Sequence, residues 1–87
     1  MFNNKIITKM SNALEIIQAI MLEKFDLSAE RVIPSARLDE DLMLGSLEQI
    51  ELCFSVDEVC GITTADEDWI CIKTVGDLVN FIEAKVN

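Results

Sequence analysis

The 87-residue sequence contains no histidine, and this absence excludes several kinds of active site. Without an imidazole, the chain cannot build a Ser-His-Asp or Cys-His nucleophile, or a zinc site that uses histidine. Ser46 also lacks the G-x-S-x-G context of a strained nucleophile turn. We therefore expect a protein that is not itself an enzyme, and the sequence disfavours a hydrolase most strongly.

Glycine, proline and tyrosine are also scarce, because the chain has three, one and none of them respectively. Few turn residues, together with apolar residues at helical spacing, are typical of an all-α fold. Residues 1–87 are too few for more than one small domain. The sequence predicts a small four-helix bundle with three long helices, one short helix and a long first loop. Residues 1–10 show no clear pattern and either fray or extend the first helix.

The three cysteines, Cys53, Cys60 and Cys71, form no CxxC pair. An odd number of thiols and no recognisable signal peptide indicate a reducing compartment, so we expect a cytoplasmic protein with the thiols in its core. The apolar run at 16–22 is interrupted by Gln18 and is too short to cross a bilayer. We expect a monomer with no membrane-spanning segment.

Basic residues are scarce after position 37. Residues 38–87 carry twelve acidic and two basic side chains, and the whole chain has a net charge of −9. Such a surface repels nucleic acid and anionic lipid and attracts basic partner proteins, although solubility alone also explains it. The acidic run at 39–41 does not fit a calcium loop, because its sixth position is Leu44 instead of Gly and its twelfth is Ile50 instead of Glu. No metal site is predicted.

The first helix should begin at Asn12, because Asn followed three residues later by Glu15 is a capping pattern. It should end near 25–26. A long connection over 27–45 follows, with Pro34 as a helix breaker and a single helical turn expected at 28–31 or 38–42. Five apolar side chains of this connection should pack onto the core: Val32, Ile33, Leu38, Leu42 and Leu44.

A second helix is predicted over Ser46–Cys60, with Ser46 as N-cap, Gln49 completing a capping box and Gly61 ending the helix. Its apolar stripe consists of Leu47, Ile50 and Phe54, widened by Leu52, Val56 and Val59. A short helix is predicted over 66–71. Thr74 and Asp77 resemble a capping box for a last helix, whose core positions are Val75, Leu78, Val79, Ile82 and Val86.

Ser46 should therefore lie exposed at a helix N-terminus. Free N–H groups and the helix dipole favour a phosphate at such a position. From the local pattern alone, Ser46 as a simple helix cap stays the alternative, because capping boxes are common.

The segment 13–86 resembles an acyl carrier protein, in register and without a gap. That family has an acidic and apolar lead-in, an Asp-Ser-Leu attachment motif and a Glu-rich amphipathic helix. Here the corresponding runs are Leu38-Asp39-Glu40-Asp41-Leu42, Gly45-Ser46-Leu47 and Gln49-Ile50-Glu51-Leu52. Further on, the runs at 66–68 and 72–79 resemble the third and fourth helices of the family. The resemblance implies that Ser46 accepts a phosphopantetheine arm from coenzyme A.

The resemblance also implies a function. Such a carrier holds acyl intermediates as thioesters on its arm, for fatty-acid biosynthesis or for a specialised polyketide- or peptide-type pathway. Its partners would be a phosphopantetheinyl transferase and acyl-processing enzymes with basic docking patches. The implied docking residues are Asp41, Leu47, Glu48, Glu51, Asp57 and Glu58. The implied lining of an acyl cavity is Leu52, Val56, Trp69, Ile72 and Leu78, which are otherwise plain core residues.

Two departures from the family pattern bear on function. Gly45 stands where the family usually has Asp, which removes a charge beside Ser46. Trp69 enters the third-helix region close to the expected cavity, and the sequence leaves open whether its ring fills that space. On the hypothesis that it does, long acyl chains should be poorly sequestered. A different function also stays open, namely an acidic adaptor domain of the same fold that is not modified. Such an adaptor would need the acidic face but not the Ser46 hydroxyl.

Overall fold

The computed structural model describes residues 12–86, and the predicted fraying or helical extension at 1–10 lies outside the described residues. Four helices occur in this range: α1 (Ala13–Phe25), α2 (Ser46–Cys60), α3 (Asp66–Ile70) and α4 (Val75–Val86). No strand is assigned between residues 12 and 86, where the β-type pairing is an isolated bridge between Arg37 and Thr74. The all-α prediction, with three long helices and one short one, is confirmed.

Local sequence sets the ends of the helices. Asn12 Oδ1 accepts a hydrogen bond from the Glu15 N–H at 2.9 Å, so the predicted cap of α1 is confirmed. Asp26 ends α1 in the left-handed region at φ 58°, and Gly61 ends α2 there at φ 67°. Glycine reaches this region without steric cost, which explains why α2 ends where the sequence predicts. Helix α3 ends at Ile70, one residue before the predicted end.

The core is shared by α1, α2, α4 and the long loop, and α1 packs against both α2 and α4. Each fully buried aliphatic side chain contributes about 1.5–3 kcal/mol relative to exposure. The fully buried helical side chains are Ile17 and Met21 of α1, Leu52 and Val56 of α2, and Val75, Leu78 and Ile82 of α4. Helix α3 has no fully buried residue and packs Trp69, half-buried, against this core.

The thiols lie less deep than predicted. Cys53 and Cys60 are half-buried, and Cys71 is exposed, so the prediction that all three lie in the core is wrong for Cys71. Burial raises the pKa of the Cys53 and Cys60 thiols, and the nearby Asp57 carboxylate raises both further. At neutral pH these two thiols are therefore mainly protonated, and the protonated thiol is the less nucleophilic form.

The loop between α1 and α2 is packed onto the core. Hydrogen-bonded turns occur at both predicted places, where the Ser28 carbonyl accepts from the Arg31 N–H at 3.0 Å and the Arg37 carbonyl accepts from the Asp41 N–H at 3.1 Å. The buried side chains of the loop are Leu27, Val32, Ala36, Leu38, Leu42 and Leu44. Ile33 is exposed, so its predicted place in the core is wrong.

Backbone pairing fixes this loop to the start of α4. The Leu38 N–H donates to the Lys73 carbonyl at 3.0 Å, and the Val75 N–H donates to the Ala36 carbonyl at 2.9 Å. The Gly76 N–H donates to the Pro34 carbonyl at 2.9 Å. These bonds satisfy backbone groups that a buried loop would otherwise leave unpaired.

Asp77 holds the α4 side of this pairing in place. Its Oδ2 accepts from the Lys73 N–H at 3.0 Å and from the Thr74 N–H at 3.1 Å. In return, Thr74 Oγ1 accepts from the Asp77 N–H at 3.0 Å, so the predicted capping box is confirmed. The hydrogen bonds from Lys73 and Thr74 lower the pKa of Asp77 below its ordinary value.

We expect Asp77→Asn to destabilise the protein at neutral pH, because only the ionised carboxylate accepts these bonds at full strength. Because the pKa of Asp77 is lower in the folded state, its ionised carboxylate stabilises the fold above about pH 4, the ordinary pKa of Asp. This stabilisation is lost as the pH falls through the folded-state pKa. Urea unfolding from pH 7 to pH 3 should therefore show that the wild type has the larger free energy of unfolding, and that its difference from the variant narrows below about pH 4. Glu83→Gln, at an exposed position of α4, is the control. A gap that stays constant with pH would argue against this role of Asp77.

Candidate functional site

Ser46 lies exposed at the first position of α2. Gly45, not Ser46, is the N-cap, because Gly45 has the extended backbone (φ −79°, ψ −176°) that precedes the first helical residue. The predicted capping box of Ser46 with Gln49 is therefore wrong by one residue. As a consequence, the Ser46 hydroxyl is not used to cap the helix.

Two side chains near the start of α2 bind backbone groups just before the helix. Glu48 Oε1 accepts from the Gly45 N–H at 3.0 Å, which is half of a capping box shifted by one position. Gln49 Nε2 donates to the Leu44 carbonyl at 3.0 Å. Gly45 has no side chain that could accept from the helix, so the first-turn N–H groups of α2 keep no side-chain cap.

This arrangement gives Ser46 a positive electrostatic environment from the backbone. Helix N-termini present N–H groups and a partial positive charge, which together favour a phosphate. An esterified phosphate on the Ser46 oxygen would lie beside these groups. The local chemistry therefore suits a phosphorylated or phosphodiester-linked serine better than a nucleophile that needs a base.

Met43, which the sequence analysis did not single out, shows backbone strain three residues before Ser46. Its φ is 59°, in the left-handed region, and its side chain is 78% exposed. A non-glycine residue in this region costs roughly 1–2 kcal/mol. The strained turn at Met43 allows Leu42 and Leu44 on either side to be buried while the chain enters α2. Sequence patterning gave no signal for it, because Met has no special preference for this conformation.

We expect Met43→Gly to raise the free energy of unfolding by roughly 1 kcal/mol, because glycine adopts the left-handed region without the steric cost. The exposed side chain loses little packing when it is removed. Met43→Ala keeps a Cβ and is the matched control. We expect no increase in its free energy of unfolding. Chemical denaturation of the three proteins measures the difference, and an equal gain from alanine would mean that backbone strain is not the cause.

Three of the acidic side chains proposed for docking bind the protein's own backbone. Glu48 caps Gly45, as described above, and Asp41 Oδ2 accepts from the Arg37 N–H at 2.8 Å. Asp57 Oδ1 accepts from the Thr64 hydroxyl at 2.6 Å, and Asp57 Oδ2 accepts from the Thr64 N–H at 3.1 Å. These bonds fix the segment that follows α2. The three carboxylates thus have structural roles that their position in a docking motif does not reveal.

Glu51 and Glu58 are exposed on α2, beside a set of exposed apolar side chains. Leu47, Ile50 and Phe54 are 76%, 48% and 68% exposed, and their spacing places them on one face of the helix. We call these three residues the exposed row. Of the predicted stripe, α2 buries Leu52 and Val56, whereas Leu47, Ile50, Phe54 and Val59 are exposed. Exposed apolar side chains grouped on one face are typical of a protein-binding surface.

The five residues predicted to line an acyl cavity fall into two groups. Leu52, Val56 and Leu78 are fully buried in the core. Trp69 and Ile72 line an open cavity of about 260 Å³. Its other lining residues, which the sequence analysis missed in this role, are Leu38, Asp39, Gln49, Ile70 and Lys73. Gln49 lies three residues after Ser46, so helical periodicity could have placed it beside the serine.

None of the helices in the described part of the chain is long and apolar enough to cross a membrane. No protein-family model matches the chain. Among its curated relatives, two match this chain over most of their own length. The acyl carrier protein of Thermosynechococcus vestitus is 37% identical over 76 residues, which cover 87% of this chain and 94% of that protein. The acyl carrier protein of Helicobacter hepaticus is 37% identical over 73 residues, which cover 84% of this chain and 96% of that protein.

Proposed function

The chain belongs to the acyl carrier protein family, and from this premise we propose that Ser46 accepts a phosphopantetheine arm on which acyl groups are carried as thioesters. One observation of the structure supports this most directly. The Ser46 hydroxyl is exposed at the first position of α2 and is not used to cap the helix. The chain itself is then a carrier without catalytic activity, serving fatty-acid synthesis or a specialised polyketide- or peptide-type pathway.

The attachment is a phosphoryl-type transfer from coenzyme A. The Ser46 oxygen attacks the phosphorus that bears the pantetheine, and the bond from that phosphorus to the adenosine-bearing phosphate breaks. Adenosine 3′,5′-bisphosphate leaves with the electron pair of that bond, and the hydroxyl proton passes to a base of the transferase. Magnesium belongs to the transferase reaction. This chain contributes the hydroxyl and the N–H groups at the start of α2, which favour the new phosphodiester.

Loading would place the cargo at the end of a flexible tether. Tethering turns each encounter between cargo and enzyme active site into an event at high effective concentration. The same carrier can therefore present one intermediate to several enzymes in turn. The arm's terminal thiol and the chain's free cysteines both favour a reducing environment, so we place the carrier in the cytoplasm. We also propose that it acts as a monomer.

The attachment is tested by incubating the apo protein with coenzyme A, magnesium and a promiscuous phosphopantetheinyl transferase, then measuring the intact mass. The wild type should gain one arm, and Ser46→Ala should gain none. Ser55→Ala, nine positions further along α2, is the matched control and should gain one arm. If the folded wild type gains nothing from this transferase or from one of its own source, Ser46 is not an attachment site, and the unmodified acidic adaptor becomes the better interpretation.

We also propose that α2 is the docking surface for the transferase and for acyl-processing enzymes. The docking residues proposed from the sequence are Asp41, Leu47, Glu48, Glu51, Asp57 and Glu58. Among them, Glu51 and Glu58 are the exposed carboxylates of α2 that have no hydrogen bond to another residue between 12 and 86, so they are open to Lys and Arg of a partner. The exposed row supplies apolar contact beside them. Charge governs the encounter rate, and the apolar side chains add contact area once the partner has docked.

We expect the double variant Glu51→Lys, Glu58→Lys to lower kcat/KM of the transferase by roughly tenfold at low salt, because attraction becomes repulsion. The loss should shrink as salt is added, since exposed charges are screened. Glu83→Lys on α4 makes a like change at an exposed site away from α2 and is the control. An equal loss from the control would show that net charge, and not this surface, governs recognition.

A further inference from the structure

The cavity lined by Trp69 opens close to the attachment serine. Gln49, which lines it, lies on α2 three residues after Ser46, and successive positions of this spacing share a helix face. The remaining walls come from the loop at Leu38 and Asp39 and from the segment after α3 at Ile72 and Lys73. The cavity therefore shares a residue of the first part of α2 with the attachment site, and an arm on Ser46 starts close to it.

Trp69 contacts both the cavity and the core. Its side chain is half-buried, packs against the core cluster and forms part of the cavity wall. Leu52, Val56 and Leu78 belong to this core and are fully buried. An alkyl chain that enters the core through the part of the wall formed by Trp69 has to displace the indole. Opening a path would require the ring to leave its packed position, and closely packed cores resist such a change.

The cavity itself is a poor place for a long alkyl chain. Its lining residues include Asp39, Lys73 and Gln49, which carry charged or polar side chains. Covering such groups with hydrocarbon removes their hydration without providing hydrogen bonds. A short acyl group, or one with hydroxyl or amino groups, keeps these side chains hydrated or hydrogen-bonded.

We propose that Trp69 excludes long alkyl chains from the core, so that the cargo of this carrier is a short or polar acyl group held at the open cavity. This inference rests on the proposed attachment of the arm at Ser46. It identifies Trp69 as the residue that determines cargo class. It also favours a dedicated pathway over the synthesis of long fatty acids.

The test uses the transferase to load acetyl or dodecanoyl arms from the corresponding acyl-coenzyme A onto wild type, Trp69→Ala and Phe25→Ala. Phe25 is a half-buried aromatic that does not line the cavity, so it is the matched control. Intact mass is measured first, because absence of the arm counts against the proposed attachment and not against the role of Trp69. The thermal midpoint of each loaded protein is then compared with that of its acetyl form.

In wild type and Phe25→Ala, the dodecanoyl form should melt at the same temperature as the acetyl form. In Trp69→Ala, the dodecanoyl form should melt about 4 °C or more above the acetyl form, because the chain fills the vacated space and stabilises the fold. A comparable rise in wild type, or no rise in Trp69→Ala, overturns the inference.

Trp69 fluorescence in wild type gives a second readout that needs no variant. Equal emission from the two loaded forms supports exclusion, and a shift on dodecanoyl loading contradicts it.

Discussion

The need to pair the backbone of a long loop whose apolar side chains are buried governs the rest of this structure. The loop between α1 and α2 packs Val32, Leu38 and Leu44 into the core, so its N–H and carbonyl groups cannot all reach water. They pair instead with the segment 73–76, which Asp77 holds from the first turn of α4. Because the end of this loop is the start of α2, the same pairing determines where Ser46 lies.

A single carboxylate therefore supports the pairing of two distant parts of the sequence. Asp77 binds the N–H groups of Lys73 and Thr74, and so organises the backbone to which the loop before α2 is fixed. Other acidic side chains act in a similar way. Asp41, Glu48 and Asp57 each bind backbone N–H groups near α2, so part of the strong negative charge of this chain stabilises its fold. Glu51 and Glu58 are exposed on α2, and this exposure is the reason why they are proposed as contacts for a basic partner.

The features that the sequence predicted correctly depend on local physical chemistry. Asn12, Gly61 and the pair Thr74 and Asp77 mark helix ends through hydrogen bonds or backbone freedom that involve only near neighbours. The apolar spacing of α1 and α4 is likewise decided within each helix, although Val86 at the end of α4 is half-exposed instead of buried. These signals suffice for the fold class and for the bounds of the long helices.

The errors occur where tertiary contacts decide. Two interleaved apolar sets lie on α2, and only the position of the loop and of α1 determines that Leu52 and Val56 are buried while Leu47 and Phe54 face solvent. The N-cap of α2 lies one residue before its predicted position, because Gly45 takes the extended conformation and its N–H donates to the Glu48 side chain. The strain at Met43 and the polar wall beside Trp69 arise from the path of the loop, which no local pattern encodes.

The modification of Ser46 is tested most directly on the protein isolated from its own cells. Trypsin should release the peptide 38–73 intact, because it contains no Lys or Arg before Lys73, and this peptide includes both Ser46 and Ser55. Fragmentation of the peptide by tandem mass spectrometry then locates any added mass. We expect a phosphopantetheine arm, with or without its acyl cargo, on Ser46. An unmodified peptide, or an arm on Ser55, would contradict the carrier function assigned to Ser46.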